Sequence, residues 1–264
     1  MSTATPIPVR SPLPSALDGT TAVLVGGSSG IGLAAGVLLR SVGARVVLVG
    51  RDPDRLKAAV SRVRGASPAE GPDDAVLGVA GDAGDEQTLD EAFDRAGRVD
   101  HVLVTAGGIS GTGPVTELSV DDIRTTFDSR LQAAFTAARK AAAHLPAGGS
   151  LTFSSGILVL RPVPGMTAPL SVVGAVETLT RALAVELAPA RVRVNTVRFG
   201  RVDTPLLRSR PGLDSDDAMA AAGSTAPLGR FGTAEEAAAS ALFLMANNYV
   251  TGQVITVDGG ETLS

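Results

Sequence analysis

Seven residues, Gly26-Gly27-Ser28-Ser29-Gly30-Ile31-Gly32, have the make-up of a phosphate cradle. A turn without Cβ atoms lets the backbone come close to a ligand. Where such a turn opens a helix, the unpaired N–H groups and the helix dipole favour a phosphate. The spacing is Gly-x-x-x-Gly-x-Gly, not the Gly-x-Gly-x-x-Gly of many dinucleotide-binding turns. A second element is Gly50-Arg51-Asp52. A carboxylate at such a strand end holds the ribose hydroxyls of NAD, whereas an arginine nearby accommodates a 2′-phosphate. With Gly50 at the strand end and Arg51 beside it, the sequence points to NADP(H). Ser154 and Ser155 end a later apolar run, where either could hydrogen-bond a ligand oxygen or serve as a satisfied loop serine. Arg198, Arg201 and Asp203 are candidates for substrate contact or for surface ion pairs. Ser110 and Thr112 belong to a loop, 107–114, that should face the same crevice.

These residues need a scaffold that sets them at one edge of a sheet. Apolar runs at 21–25, 45–49, 75–80, 101–105, 150–154, 191–198 and 253–258 read as strands. Helical periodicity falls at 30–42, 53–64, 86–97, 119–145, 170–188 and 233–247. Alternation of this kind predicts one α/β domain, a doubly wound parallel sheet of about seven strands with helices on both faces. Residues 1–18, with four prolines before Gly19, read as an extended, flexible arm, and 19–264 as the domain. Segment 65–74 reads as a polar loop, and 201–230 as a lid over the ligand crevice.

Composition narrows the chemistry. The 264 residues are 44% hydrophobic, enough for one sizeable core. A net charge of −4 without a basic run argues against nucleic acid or an anionic membrane as partner. Without cysteine there is no disulfide framework, thiolate nucleophile or cysteine metal site. Two histidines, His101 and His144, leave little material for zinc, and both look remote from the crevice. No apolar run approaches the roughly 18 residues of a membrane span, and no signal peptide is evident, so a cytoplasmic protein is expected.

From about Asp18 to Gly260 the chain resembles the short-chain dehydrogenase/reductase family. The glycine turn matches that family's Thr-Gly-x-x-x-Gly-x-Gly motif, with Val25 in place of threonine. Gly81-Asp82 looks like its adenine-contacting aspartate, and Val104-Thr105-Ala106-Gly107 like its Asn-Asn-Ala-Gly segment without the asparagines. Asn195 to Thr204 resembles its Asn-x-Val-x-Pro-Gly-x-x-x-Thr stretch, with Phe199 replacing proline. Pro227 to Gly232 and Val250 to Gly260 complete the match. The resemblance implies a Rossmann-like fold and a nucleotide held by Gly26, Ser28, Ser29, Gly30, Ile31, Gly32, Arg51, Asp82, Ala83, Ala106 and Gly107. It places Val202 and Thr204 at the nicotinamide. It also implies pairing of the two long helices across a two-fold axis, hence a homodimer or homotetramer.

The family's chemistry uses Asn, Ser, Tyr and Lys. Tyrosine moves the proton while hydride passes to or from the nicotinamide, lysine lowers the tyrosine pKa, and serine positions the carbonyl oxygen. Those four places hold Arg130, Gly156, Pro169 and Val173 here. Proline and valine have no titratable proton. The only tyrosine, Tyr249, lies near the last strand and reads as structural. Arg130 and Ser155 are the replacement catalytic candidates. If Arg130 points inward, it anchors a carboxylate or phenolate or polarises a carbonyl; otherwise it rotates outward or fills the lost lysine's space. The expected function is an NADP(H)-dependent oxidoreductase acting on a small carbonyl, enone or quinone-like substrate. The alternatives are a dehydratase, isomerase or cyclase on the same scaffold, and a catalytically silent nucleotide-binding or regulatory protein.

Overall fold

The computed structural model describes residues 15–66 and 75–264. Seven parallel strands form one sheet in the order β3-β2-β1-β4-β5-β6-β9. They are β1 (Thr21–Val25), β2 (Arg45–Gly50), β3 (Val76–Ala80), β4 (His101–Val104), β5 (Ser150–Gly156), β6 (Arg193–Phe199) and β9 (Val254–Val257). The expected architecture and strand count hold. Every side chain of β1 is buried, as an apolar strand covered on both faces requires. Register is parallel throughout, with Val23 opposite Val47 on one side and Val102 on the other.

Helices α1 (Gly30–Ser41), α2 (Pro53–Arg64) and α9 (Ala234–Ala246) cover one face, where Leu24, Leu48, Leu39, Val63 and Met245 share a core. Helices α3 (Glu86–Ala96), α5 (Ala133–His144) and α6 (Thr167–Glu186) cover the other, around Leu89, Phe93, Leu151 and Phe153. Strand order reverses between β1 and β4. The crevice beyond the carboxyl ends of these two strands is where open α/β sheets bind ligands.

The long helix expected at 119–145 is present, running without a gap from Val120 to His144, but it is not uniformly α. α4 (Val120–Phe127) passes into one π turn, Asp128–Gln132, before α5 begins. The helix expected from 170 starts at Thr167, so Pro169 falls in its first turn, where its missing N–H has no helical acceptor to lose. By length and composition α6 could cross a membrane, contrary to the sequence expectation. Half of its most apolar window is buried, and it packs on β5 and β6 as a core helix does.

Most of the expected arm, residues 1–18, falls outside the described residues. Residues 1–14 lie outside them, but Ser15–Leu17 forms a 3-10 turn with Ala16 and Leu17 in the core. Of the loop at 65–74, residues 67–74 also lie outside them. The segment 201–230 carries β7 (Val202–Asp203), α7 (Pro205–Arg208) and α8 (Asp216–Gly223). Val202 of β7 pairs with Gly232 of β8 (Gly232–Thr233).

Candidate functional site

The glycine turn leaves β1 at Gly26 and enters α1 at Gly30, as its composition implies. Gly26 has φ +95°, and a Cβ there would lie 2.6 Å from the Ala106 nitrogen. A Cβ at Gly32 would lie 2.3 Å from the Gly26 carbonyl oxygen and 2.6 Å from Thr105 Oγ1. The turn is therefore packed against the end of β4, which explains why Ala106 and Gly107 share a site with it. Thr105 reinforces this contact, its hydroxyl 3.3 Å from the Gly26 carbonyl. Ser29 is the N-cap of α1, yet its side chain makes no cap hydrogen bond. The first N–H groups of α1 thus keep the unspent donors a phosphate would take. The fit to a dinucleotide rests on this backbone cradle.

The residues expected to choose the nucleotide stand at the end of β2. A Cβ at Gly50 would stand 2.7 Å from Ser28 Oγ, so the serine occupies the space an acidic side chain needs. Arg51 is exposed beside it. Asp82 is exposed after β3, accepts the Gly84 N–H at 2.8 Å, and leads through part-buried Ala83 to α3. Across the crevice, the Thr204 methyl lies 3.4 Å from the Cβ position of Gly30. Val202 is buried in β7, and Ile31 packs with it and Phe199. The structure therefore gathers the sequence's nucleotide candidates around the carboxyl ends of β1, β2 and β4.

The four positions expected to replace the family's Asn, Ser, Tyr and Lys lie on the π turn, β5 and α6, and α6 packs on the other two elements. Gly156 closes β5 with open space around it, the nearest atom to its Cβ position being the Phe199 carbonyl oxygen at 4.0 Å. Pro169 and Val173 are buried on α6. Arg130 sits within the π turn and points inward across Gly107. Its Nη2 donates to the Gly107 carbonyl at 3.1 Å, and its Nε lies 2.7 Å from the Gly107 Cβ position. Only a glycine can take that position, and its φ of +126° demands one as well. Nε is shut off from solvent without an acceptor. Burial pulls the guanidinium pKa down from its ordinary value. π turns recur at functional sites because the extra residue re-aims side chains.

Ser155 is a correction. Its hydroxyl donates to Glu177 Oε1 at 2.6 Å, beneath the sheet's end. Glu177 also holds Arg198 through Nε at 2.8 Å and Nη2 at 2.6 Å, and Arg198 Nη1 donates to Thr256. Ser155, Glu177 and Arg198 are all buried, so the serine serves an internal ion pair. Ser154, its neighbour on the strand, faces the other side and is part-exposed. Arg198 is a buried structural cation and not a surface one. Arg201 and Asp203 are ion-paired too. Arg201 Nε donates to Glu261 Oε2 at 2.6 Å and its guanidinium lies 4.7 Å over the Phe231 ring, while Asp203 takes Arg208 Nε at 2.6 Å. The Arg208 hydrogen bond holds the Asp203 carboxyl below the usual carboxylate range. Ser110 is turned toward Thr126 of α4, its Oγ 3.4 Å from the threonine hydroxyl. His101 is buried at the opposite end of the sheet against Ser150, and the His144 ring packs on Phe93, both remote as expected. Tyr249, expected to be structural, is 99% exposed and so does not pack within the chain.

Sequence reading missed Glu177 and Glu261. Each carried a signal: a lone carboxylate inside an apolar helix, and another in a glycine-rich terminus, both now buried opposite arginines.

Comparison with known proteins agrees with this fold. A family model described as enoyl-(acyl carrier protein) reductase matches residues 25–262. Carbonyl reductase family member 4 of Danio rerio is 30% identical over 246 residues, 92% of this chain and 98% of that protein. The short-chain dehydrogenase/reductase ATR9 of Stachybotrys chlorohalonatus is 31% identical over 262 residues, covering 94% and 98%. Among solved structures, the MalC reductase/Diels-Alderase from Malbranchea aurantiaca superposes with a TM-score of 0.85 at 29% identity. That match covers 95% of this chain and 99% of the other.

Proposed function

The chain belongs to the short-chain dehydrogenase/reductase family, and from that premise we propose that it is an NADP(H)-dependent oxidoreductase with a rewired active site. Its family uses NAD(P)(H), and its members bind small-molecule substrates and commonly form oligomers. The observation that carries the reading is Arg130 lying across Gly107, with helix α6, which bears Pro169 and Val173, packed on the π turn that holds it.

In this reading Gly26, Ser29, Gly30, Ile31 and Gly32 hold the pyrophosphate, Ser28 and Arg51 the 2′-phosphate, and Asp82 and Ala83 the adenine side. Ala106, Gly107, Val202 and Thr204 line the path to the nicotinamide. When bound, the nucleotide supplies or takes a hydride. The side chains beside it cannot move a proton: Pro169 and Val173 have none to exchange, Gly156 has no side chain, and Arg130 is a poor donor. Losing general acid help costs ~10²–10⁴-fold in rate. The substrate must therefore be activated already, an enone or quinone-like carbonyl whose gained charge is delocalised. Arg130 supplies fixed positive charge at the substrate end, and the proton comes from solvent. A homodimer or homotetramer in the cytoplasm completes the proposal.

A second reading is a non-redox enzyme on the same scaffold, favoured by the likeness to the MalC reductase/Diels-Alderase. Deuteride-labelled NADPH with 2-cyclohexenone separates the two. Deuterium at the β-carbon of the product supports the oxidoreductase. Substrate consumed without deuterium in the product supports the second reading. Tight nucleotide binding with no turnover of any acceptor leaves a silent binding protein.

A further inference from the structure

Four arginines near the crevice have a carboxylate of their own: Arg198 with Glu177, Arg201 with Glu261, Arg208 with Asp203 and Asp216, and Arg230 with Glu236. Arg130 has none among the described residues. Its Nη2 is spent on the Gly107 carbonyl and its Nε is sealed against the Gly107 backbone. Nη1 has no protein acceptor among the described residues and, unlike Nε, is not shut off from solvent. An inward cation without a counter-charge is costly in a protein interior. Helix α6, which carries buried Pro169 and Val173, packs on the π turn that holds Arg130.

We infer that the substrate supplies the missing charge: Arg130 is the seat of a carboxylate on a planar, conjugated acceptor. This rests on the reading of the crevice as a substrate site, but not on which reaction occurs there. Nη1 offers the carboxylate a charge-assisted hydrogen bond. Pro169 and Val173 offer only apolar surface, which suits a conjugated body better than a polar one. The Gly107 carbonyl and the π turn fix the guanidinium plane, so little side-chain entropy is lost when the anion arrives.

The test uses trans-cinnamate and cinnamamide as probes, matched in shape and different in charge, titrated calorimetrically into the full chain loaded with NADP⁺. Wild type is expected to prefer cinnamate by about 10- to 100-fold, the worth of a hydrogen bond to a charged group. Arg130→Met should abolish the preference and leave NADP⁺ affinity unchanged. Arg130→Lys should keep part of it, since lysine keeps the charge without the guanidinium's bond to the Gly107 carbonyl that aims it. Arg130→Met removes an uncompensated cation, so the variant should melt no lower than wild type. Three results would overturn the inference: no cinnamate binding at millimolar concentration, equal binding of both probes, or a preference that survives Arg130→Met. A fall in NADP⁺ affinity in Arg130→Met matching the loss of cinnamate would overturn it too, by assigning the charge to the nucleotide's phosphates. Cinnamate preference without turnover of any acceptor would leave the seat standing and remove the oxidoreductase reading.

Discussion

Replacing Glu177 by glutamine keeps its shape and an acceptor for Ser155, but leaves Arg198 facing no charge. The Glu177 and Arg198 side chains are 6% and 10% exposed, so solvent does little to screen the loss. Breaking one partner of such a pair costs about 3–5 kcal/mol. At about 2–4 °C per kcal/mol for a domain of this size class, the melting temperature should fall by about 6–20 °C. Substituting both residues by leucine removes the buried charges together. Such exchanges run from neutral to about 4 kcal/mol stabilising, offset here by the hydrogen bonds that Ser155 and Thr256 lose, at about 1 kcal/mol each. The double variant should therefore recover most of the single variant's loss. Ser155→Ala should cost about 1 kcal/mol and leave kcat unchanged. Urea unfolding with a constant m-value is the assay. The reasoning fails if Glu177→Gln costs less than about 1 kcal/mol. It fails equally if Ser155→Ala removes turnover without touching stability, because the hydroxyl would then be working at the ligand.

Acid should weaken the fold in a defined window. The Arg230 hydrogen bond holds the Glu236 carboxyl at about 2, and the Asp85 carboxyl is lowered by its bond from Thr88. Carboxyls depressed in the folded state stabilise it above their unfolded pKa, and that contribution is lost as pH falls through the folded value. Stability should be flat from pH 7 to 5 and fall below about pH 4.5; Glu236→Gln, measured by thermal melts across pH, should flatten part of that slope. Glu261 is buried and pins the loop ahead of Val202 and Thr204, accepting the Arg201 backbone N–H at 2.8 Å. Glu261→Ala should weaken NADP⁺ about 10-fold and spare 2′,5′-ADP, which lacks the nicotinamide half. An equal loss for both ligands would show that the tail acts on the whole fold.

The strands and the glycine turn were legible because their causes are local. Five consecutive buried residues in β1 and a run of glycines need no distant partner to be read. Where the cause was distant, the reading stopped. Nothing near Ser155 in sequence announces that Glu177, on the next helix, will take its hydroxyl. Arg198 was visible as a cation, but burial decides whether such a cation is structural, and burial belongs to the packed sheet. The π turn escaped because α4, Asp128–Gln132 and α5 share one apolar periodicity, and the extra residue shows only in backbone geometry. These misses lie at or beside the altered end of the crevice. A cradle built from backbone amides constrains sequence through glycine and so announces itself, whereas a pocket built from side chains borrowed from three elements does not. The same asymmetry separates the glycine turn from the positions of Pro169 and Val173. Gly26 and Gly32 are fixed by contacts with Ala106 and Thr105, none of which involves Pro169 or Val173.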